Sequence, residues 1–104
     1  MRIERRRGDT RPDVCTINIA GTFDSANITG CTFKLIVSSV PFPVDNTSEV
    51  YEVAGTITDA ENGVVEFAPA SDQVDKTGFY YYELKMVDTY GKLHTLVSDV
   101  YLFR

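Results

Sequence analysis

Gly78-Phe79-Tyr80-Tyr81-Tyr82-Glu83-Leu84-Lys85-Met86-Val87-Asp88, the turn Thr89-Tyr90-Gly91, and then Lys92-Leu93-His94-Thr95-Leu96-Val97-Ser98-Asp99-Val100-Tyr101-Leu102-Phe103 decide the fold of this chain. The two runs read as long antiparallel strands, because side chains of a strand alternate between two faces and a glycine turn joins them. In the first run Tyr80, Tyr82, Leu84 and Met86 share one face. Phe79, Tyr81, Glu83, Lys85 and Val87 share the other, which is more apolar than solvent exposure requires. The second run is long enough to bend or bulge near Ser98-Asp99, and Leu96, Val100 and Leu102 are its expected inward residues.

Upstream, the same period of two predicts four more strands, bounded by turn residues. Residues 14–20 send Cys15, Ile17 and Ile19 to one face, and a connection over residues 21–30 follows. Residues 31–38 send Cys31, Phe33, Leu35 and Val37 inward, after which Pro41-Phe42-Pro43 stops pairing, since proline donates no ladder hydrogen bond. A polar loop, Asp45-Asn46-Thr47-Ser48, leads to a third strand over residues 50–58, with Tyr51, Val53 and Ile57 on its apolar face. Asn62-Gly63 supplies the positive φ of a tight turn before residues 64–68, where Val65 and Phe67 point inward. Residues 70–74 read as a turn of helix, with Val74 plugging one end of the core. Helical periodicity is sustained nowhere. The expectation is an all-β sandwich of six or seven antiparallel strands.

A length of 104 residues allows one core. With 43% hydrophobic and 24% charged residues, the composition is that of a globular domain. No apolar run approaches the roughly 18–20 residues of a membrane-spanning helix. The basic start lacks the apolar stretch of a secretory leader, so none is expected. The net charge of −5 argues against nucleic acid, which needs clustered cations. Five of the ten Lys and Arg, however, fall in the first eleven residues: Arg2, Arg5, Arg6, Arg7 and Arg11. Residues 1–11 are therefore read as a basic N-terminal arm, solvated or docked on an acidic neighbour, and residues 12–104 as the sandwich domain.

The chemistry-bearing residues do not converge. Cys15 and Cys31 lie sixteen apart, a spacing that does not fit the inter-sheet disulfide of an immunoglobulin domain, and read as small buried hydrophobes. His94 is the only histidine, and it has no nucleophile motif around it. Asp59, Glu61, Asp72, Asp75 and Asp88 sit at expected strand ends, but form only a thin version of a calcium loop. Arg7-Gly8-Asp9 matches the integrin tripeptide, and Asn27-Ile28-Thr29 and Asn46-Thr47-Ser48 match the glycosylation sequon; all three are also ordinary loop chemistry. No catalytic residue, metal site or cofactor is expected, and the chain is read as a non-enzyme.

What remains is a surface. Tyrosine fits half-buried strands and also protein interfaces, where its ring buries area while its hydroxyl stays hydrogen-bonded. Phe79 and Tyr81, on the outward face of their strand, and Arg5, Arg6 and Arg7 of the arm are the candidate partner-binding residues.

Gly78-Phe79-Tyr80-Tyr81-Tyr82 resembles the tyrosine corner that opens strand F of immunoglobulin domains, with Tyr82 where antibody domains keep a cysteine. A longer series of pieces runs through most of the chain: Arg7-Gly8-Asp9-Thr10, Thr29-Gly30, Gly55-Thr56-Ile57-Thr58-Asp59, Asn62-Gly63-Val64-Val65-Glu66-Phe67, Gly78 with residues 80–84, Asp88, Gly91-Lys92 and Thr95-Leu96. Their order is similar to the N-terminal immunoglobulin-like module of phage baseplate upper proteins and related tail-associated proteins. That resemblance implies an immunoglobulin-like sandwich and a structural role in a virion tail or baseplate. It implies partners among other virion proteins, repetition as a homo-oligomer in a symmetric particle, and no catalytic residues. The chain differs from such relatives in stopping at Arg104, just after its last strand, and in its unusually basic arm. The expected function is a tail or baseplate adaptor acting by protein–protein contact, without nucleic acid or membrane. The alternative is a surface- or carbohydrate-binding sandwich used in host recognition.

Overall fold

Apolar residues at every second position, each run ending at a glycine, proline or polar turn, build eight strands in the computed structural model, which describes residues 2–19, 24–41, 43, 45 and 47–104. They are β1 (Ile3–Arg5), β2 (Asp13–Thr16), β3 (Thr32–Ser38), β4 (Glu49–Ala54), β5 (Thr56–Asp59), β6 (Val64–Phe67), β7 (Gly78–Val87) and β8 (Leu93–Phe103). No helix forms among the described residues. One sheet has five strands in the order β1-β8-β7-β3-β4, and the other has three in the order β2-β6-β5. The fold is all-β, two sheets closed over one core. Of the sequence expectations, those on Ala20, Gly21, Phe42 and Asn46 lie outside the described residues.

The strand count exceeds six or seven for two reasons. The expected strand at residues 50–58 is two strands in different sheets: β4 pairs with β3, and β5 pairs with β6. Gly55 is the crossing point. Its N–H still bonds the Phe33 carbonyl at 2.8 Å, but a Cβ there would lie 2.8 Å from Phe33 Cβ and Val65 Cγ2 and 2.9 Å from Phe67 Cε1. Only a residue without a side chain lets the chain pass from one sheet to the other at that spot. The second reason is the arm. Residues 3–5, expected to be solvated or docked elsewhere, form β1 and pair with Tyr101, Leu102 and Phe103 of β8. That pairing is parallel, the exception to an otherwise antiparallel ladder.

The inward residues are those the alternation predicts on β3, β4, β6 and β7: Phe33, Leu35, Val37, Tyr51, Val53, Val65, Phe67, Tyr82 and Leu84 are all buried. Ile17 and Ile57 are half-buried at the margin, and Ile19 is exposed. On β8 the phase is reversed. Leu84 faces Val97 while Lys85 faces Thr95, so Leu96 is an extra residue in the ladder, two positions before the expected bend. An extra residue transfers everything beyond it to the opposite face. Tyr101 and Phe103 therefore enter the core with their rings stacked 4.6 Å apart, while Val100 and Leu102 turn to the other face, Val100 half-buried and Leu102 buried there.

The segment between β6 and β7 makes a hydrogen-bonded turn rather than a turn of helix: Gln73 N–H donates to the Ala70 carbonyl at 3.1 Å, and Ala70 N–H to Gln73 Oε1 at 2.9 Å. Val74 is fully buried, as its plugging role requires. Lys76 lays its ammonium over the rings of Tyr51, Tyr80 and Phe103 at 5.1, 5.6 and 5.9 Å, which ties the segment to one end of the core. Cys15 and Cys31 are free thiols, and burial pushes the Cys15 thiol up.

Candidate interaction surface

Alternation on β7 turns Phe79, Tyr81, Glu83, Lys85 and Val87 to the outer face of the five-stranded sheet, and pairing sets what surrounds them. Phe79 stands opposite Leu102, which stands opposite Glu4; Tyr81 lies between Ser38 and Val100. Further along, Lys85 lies between Lys34 and Thr95, and Val87 between Thr32 and Leu93. Phe79 is 65% exposed, with the Arg2 guanidinium over its ring at 5.9 Å. Tyr81 is half-buried. The face thus joins an exposed aromatic ring to buried Leu102, half-buried Val87 and Val100 and exposed Leu93, with a rim of Arg2, Glu4 and Arg104. The two arginines share the Glu4 carboxylate at 3.1 and 3.3 Å, and Arg104's hydrogen bond, with the charge of both, holds that carboxyl below its ordinary value.

At the far end of this face Thr32, Phe33, Lys34, Ile36, Ala54, Lys85, Val87 and Leu93 line a shallow groove of about 550 Å³. Lys34 reaches Glu52 at 3.5 Å and Lys85 reaches Glu83 at 3.7 Å. The first pair is exposed, and such pairs contribute little to stability, while the second is half-buried. They set a charge pattern around the aliphatic floor.

The three arginines expected to serve one role occupy three environments. Arg5 is buried: its Nε donates to Tyr101 Oη at 2.7 Å, one Nη to Asp13 Oδ1 at 2.9 Å, and the other to the Asp9 carbonyl. Burial alone would lower its pKa, but the Tyr101 and Asp13 contacts more than offset this and hold it above its ordinary value. The Tyr101 hydroxyl in turn donates to Asp13 Oδ2 at 2.6 Å, and burial with that bond pushes Tyr101 upward. Arg7 is exposed and paired with Asp75 at 2.7 Å. Arg6 is exposed, and among the described residues no hydrogen bond or ion pair engages its guanidinium. In the Arg7-Gly8-Asp9 turn, Asp9 is bound to Arg11 at 2.7 Å, so both charges of the tripeptide are internally paired.

The hydroxyl of Tyr51, buried beside the Arg5 network, has no hydrogen-bond partner among the described residues. Burial pushes it up to about 12; the nearby Tyr101 hydroxyl tempers that rise, but is already committed to Arg5 and Asp13. His94 Nε2 lies 2.8 Å from Asp88 Oδ2 on the surface, and Asp88 also accepts from the Tyr90 and Lys92 amides at 2.9 and 3.0 Å. This carboxylate closes the β7–β8 turn. Among the described residues no three of His, Cys, Asp or Glu are grouped to hold a metal ion.

Sequence reasoning identified Phe79 and Tyr81 from the alternation of β7, but missed Val100 and Leu102 beside them. Their alternation was legible; its phase was not, because the extra residue at Leu96 sets it. Arg2, which covers Phe79, had no signal beyond belonging to a basic run.

No protein-family model matches the chain, and no curated protein does. Among solved structures, the N-terminal domain of phage TP901-1 ORF48 has the same fold, with a TM-score of 0.60 over 98% of this chain and 83% of that one. The two sequences are 13% identical, so what they share is architecture.

Proposed function

We propose that this chain is a non-enzymatic structural protein of a phage virion, an adaptor or connector module of the tail or baseplate that works through protein–protein contact. The observation that carries the reading is the likeness, over 98% of the chain, to a domain of a phage protein. The outer face of the five-stranded sheet supplies the means. Phe79 is an exposed aromatic anchor beside buried Leu102 and half-buried Val100, with Tyr81 next to it and arginines at the rim. Interfaces favour this composition, because aromatic rings and arginine bury large area around few charges. Arg6 and Arg7 are exposed just beyond β1, Arg7 paired with Asp75, and Arg5 acts from inside, holding β1 in place through Asp13.

The test is incorporation into particles. Purified virions of the phage that encodes the chain, analysed by quantitative mass spectrometry, should contain the wild-type protein at a fixed copy number. Phe79→Ala with Tyr81→Ala should reduce incorporation at least tenfold, while the isolated variant keeps its circular dichroism spectrum. Virions lacking the wild-type protein would end this reading. Binding of the isolated domain to a glycan array, lost with Tyr81→Ala, would replace it with the carbohydrate-binding alternative.

A further inference from the structure

Three aromatic rings meet at one end of the core: Tyr51 from β4, Tyr80 from β7 and Phe103 from β8. Tyr80 points inward, opposite to Phe79 and Tyr81, because side chains alternate along β7. Tyr80 and Phe103 stand edge to face, with centroids 5.4 Å apart and planes at 89°, so they form two perpendicular walls. Tyr51 supplies a third. Tyr51 and Phe103 are buried and Tyr80 is half-buried, so the core itself fixes the three rings in place.

What lies among them is a cation. The half-buried Lys76, on the connection from β6 to β7, holds its ammonium 5.1 Å from the Tyr51 ring, 5.6 Å from Tyr80 and 5.9 Å from Phe103. Among the described residues no hydrogen bond or ion pair engages that ammonium. Its three N–H donors need acceptors, which ring faces supply poorly. Burial accordingly lowers the Lys76 pKa, against the opposing pull of Asp72 and Asp75. The spacing also has room for methyl groups. A methyl carbon touches a ring at about 3.5–4.0 Å and stands about 1.5 Å from its nitrogen, so a nitrogen with one methyl toward each ring lies roughly 5–5.5 Å from it. The three observed distances are of that size.

We infer that Tyr51, Tyr80 and Phe103 form an aromatic cage for a quaternary ammonium group, with Lys76 as its built-in placeholder and gate. A quaternary ammonium carries the charge that ring faces attract and has no N–H to leave unsatisfied. On its arrival the flexible Lys76 stem swings outward to Asp72, which is exposed; Asp75 is already bound to Arg7 at 2.7 Å. This goes beyond the assembly role of the outer sheet face and does not depend on it, since the cage lies on the inward side of β7.

Titration of ¹⁵N-labelled wild-type protein with choline chloride tests the inference. The amides of residues 51, 76, 80 and 103 should shift in a saturable way, and methylammonium chloride at equal ionic strength should bind at least tenfold more weakly. Lys76→Ala, which removes the placeholder, should bind choline at least tenfold more tightly than wild type, and Phe79→Ala should bind it as wild type does. Co-sedimentation with phosphatidylcholine vesicles separates two sources of the group: retention that free choline competes away assigns it to a lipid headgroup, and no retention assigns it to a soluble ligand. The inference is overturned by the absence of saturable shifts in wild type, or by methylammonium binding as well as choline. A Lys76→Ala variant that keeps its thermal midpoint and binds no more tightly than wild type also overturns it. If that variant unfolds early, the two wild-type titrations decide alone. Loss of choline binding leaves virion incorporation through Phe79 untouched, so the two readings fail separately.

Discussion

The Arg5 guanidinium and the Asp13 carboxylate meet at 2.9 Å, with side chains 4% and 14% exposed, and join β1 of the five-stranded sheet to β2 of the three-stranded sheet. Tyr101 completes the contact from β8, accepting from one partner and donating to the other. The first cation of the Arg-Arg-Arg run is thus a structural clasp, and its two successors are surface groups. Breaking one half of a buried ion pair strands the other charge, which costs about 3–5 kcal/mol, whereas replacing both with apolar groups costs far less. Arg5→Met should therefore lower the urea unfolding free energy by about 3 kcal/mol, and Arg5→Met with Asp13→Leu should recover much of that loss. Amide exchange at residues 101–103 should quicken in the single variant as β1 detaches. Equal losses in the single and double variants would remove the ion pair from this account.

Tyr51 and Tyr101 make opposite predictions from neighbouring hydroxyls. Tyr101 is bonded to both Arg5 and Asp13, so Tyr101→Phe should destabilise by about 1–3 kcal/mol. The unpartnered Tyr51 hydroxyl adds only the cost of its burial, so Tyr51→Phe should be neutral or stabilising by up to about 1 kcal/mol. Chemical denaturation of the two variants side by side decides the matter. In alkaline titration followed by ultraviolet absorbance, Tyr51 and Tyr82 should ionise near 12, since burial opposes the phenolate in both.

Gly55→Ala tests the sheet crossing. The added methyl would press on Phe33 Cβ, Val65 Cγ2 and Phe67 Cε1, of which the first sits next to the main chain and cannot swing away. Overpacking of this sort costs about 1–3 kcal/mol, visible as a lower denaturation midpoint with an unchanged slope. A variant as stable as wild type would show that the crossing does not need a residue without a side chain.

Two carboxylates on the same sheet give opposite pH dependences. The His94 hydrogen bond, with the Lys92 and Tyr90 amides, lowers Asp88 below its ordinary 3.8. Its contribution is full above that value and is lost as pH falls through the depressed folded value. Asp88→Asn should flatten the dependence of melting temperature on pH in the acid range below the ordinary carboxylate value. Glu49 is raised above 4.5, mainly by burial and then by the neighbouring Glu52. It therefore opposes folding increasingly as pH climbs past 4.5, up to its raised folded value. Glu49→Gln should raise the melting temperature at pH 7 and leave it unchanged at pH 3.

What the sequence determined by itself was the class of fold, the places of seven of the eight strands (β4 and β5 read as one run), and the core of β3, β4, β6 and β7. Phe79 and Tyr81 were legible on the outer face for the same reason: period two needs nothing beyond the local chain. Tertiary structure decided the rest. Residues 3–5 carry too little apolar content to announce a strand, and they become one because β8 offers an edge and Asp13 offers Arg5 a partner. The phase of β8 reversed because one extra residue at Leu96 exchanges its faces, and alternation alone cannot say where a ladder admits one. The switch of sheet at Gly55 depends on Phe33, Val65 and Phe67, which the fold brings to that glycine from elsewhere in the chain. Local periodicity assigns residues to faces, but which edges meet, and which charges are enclosed between them, is settled only when distant segments pack.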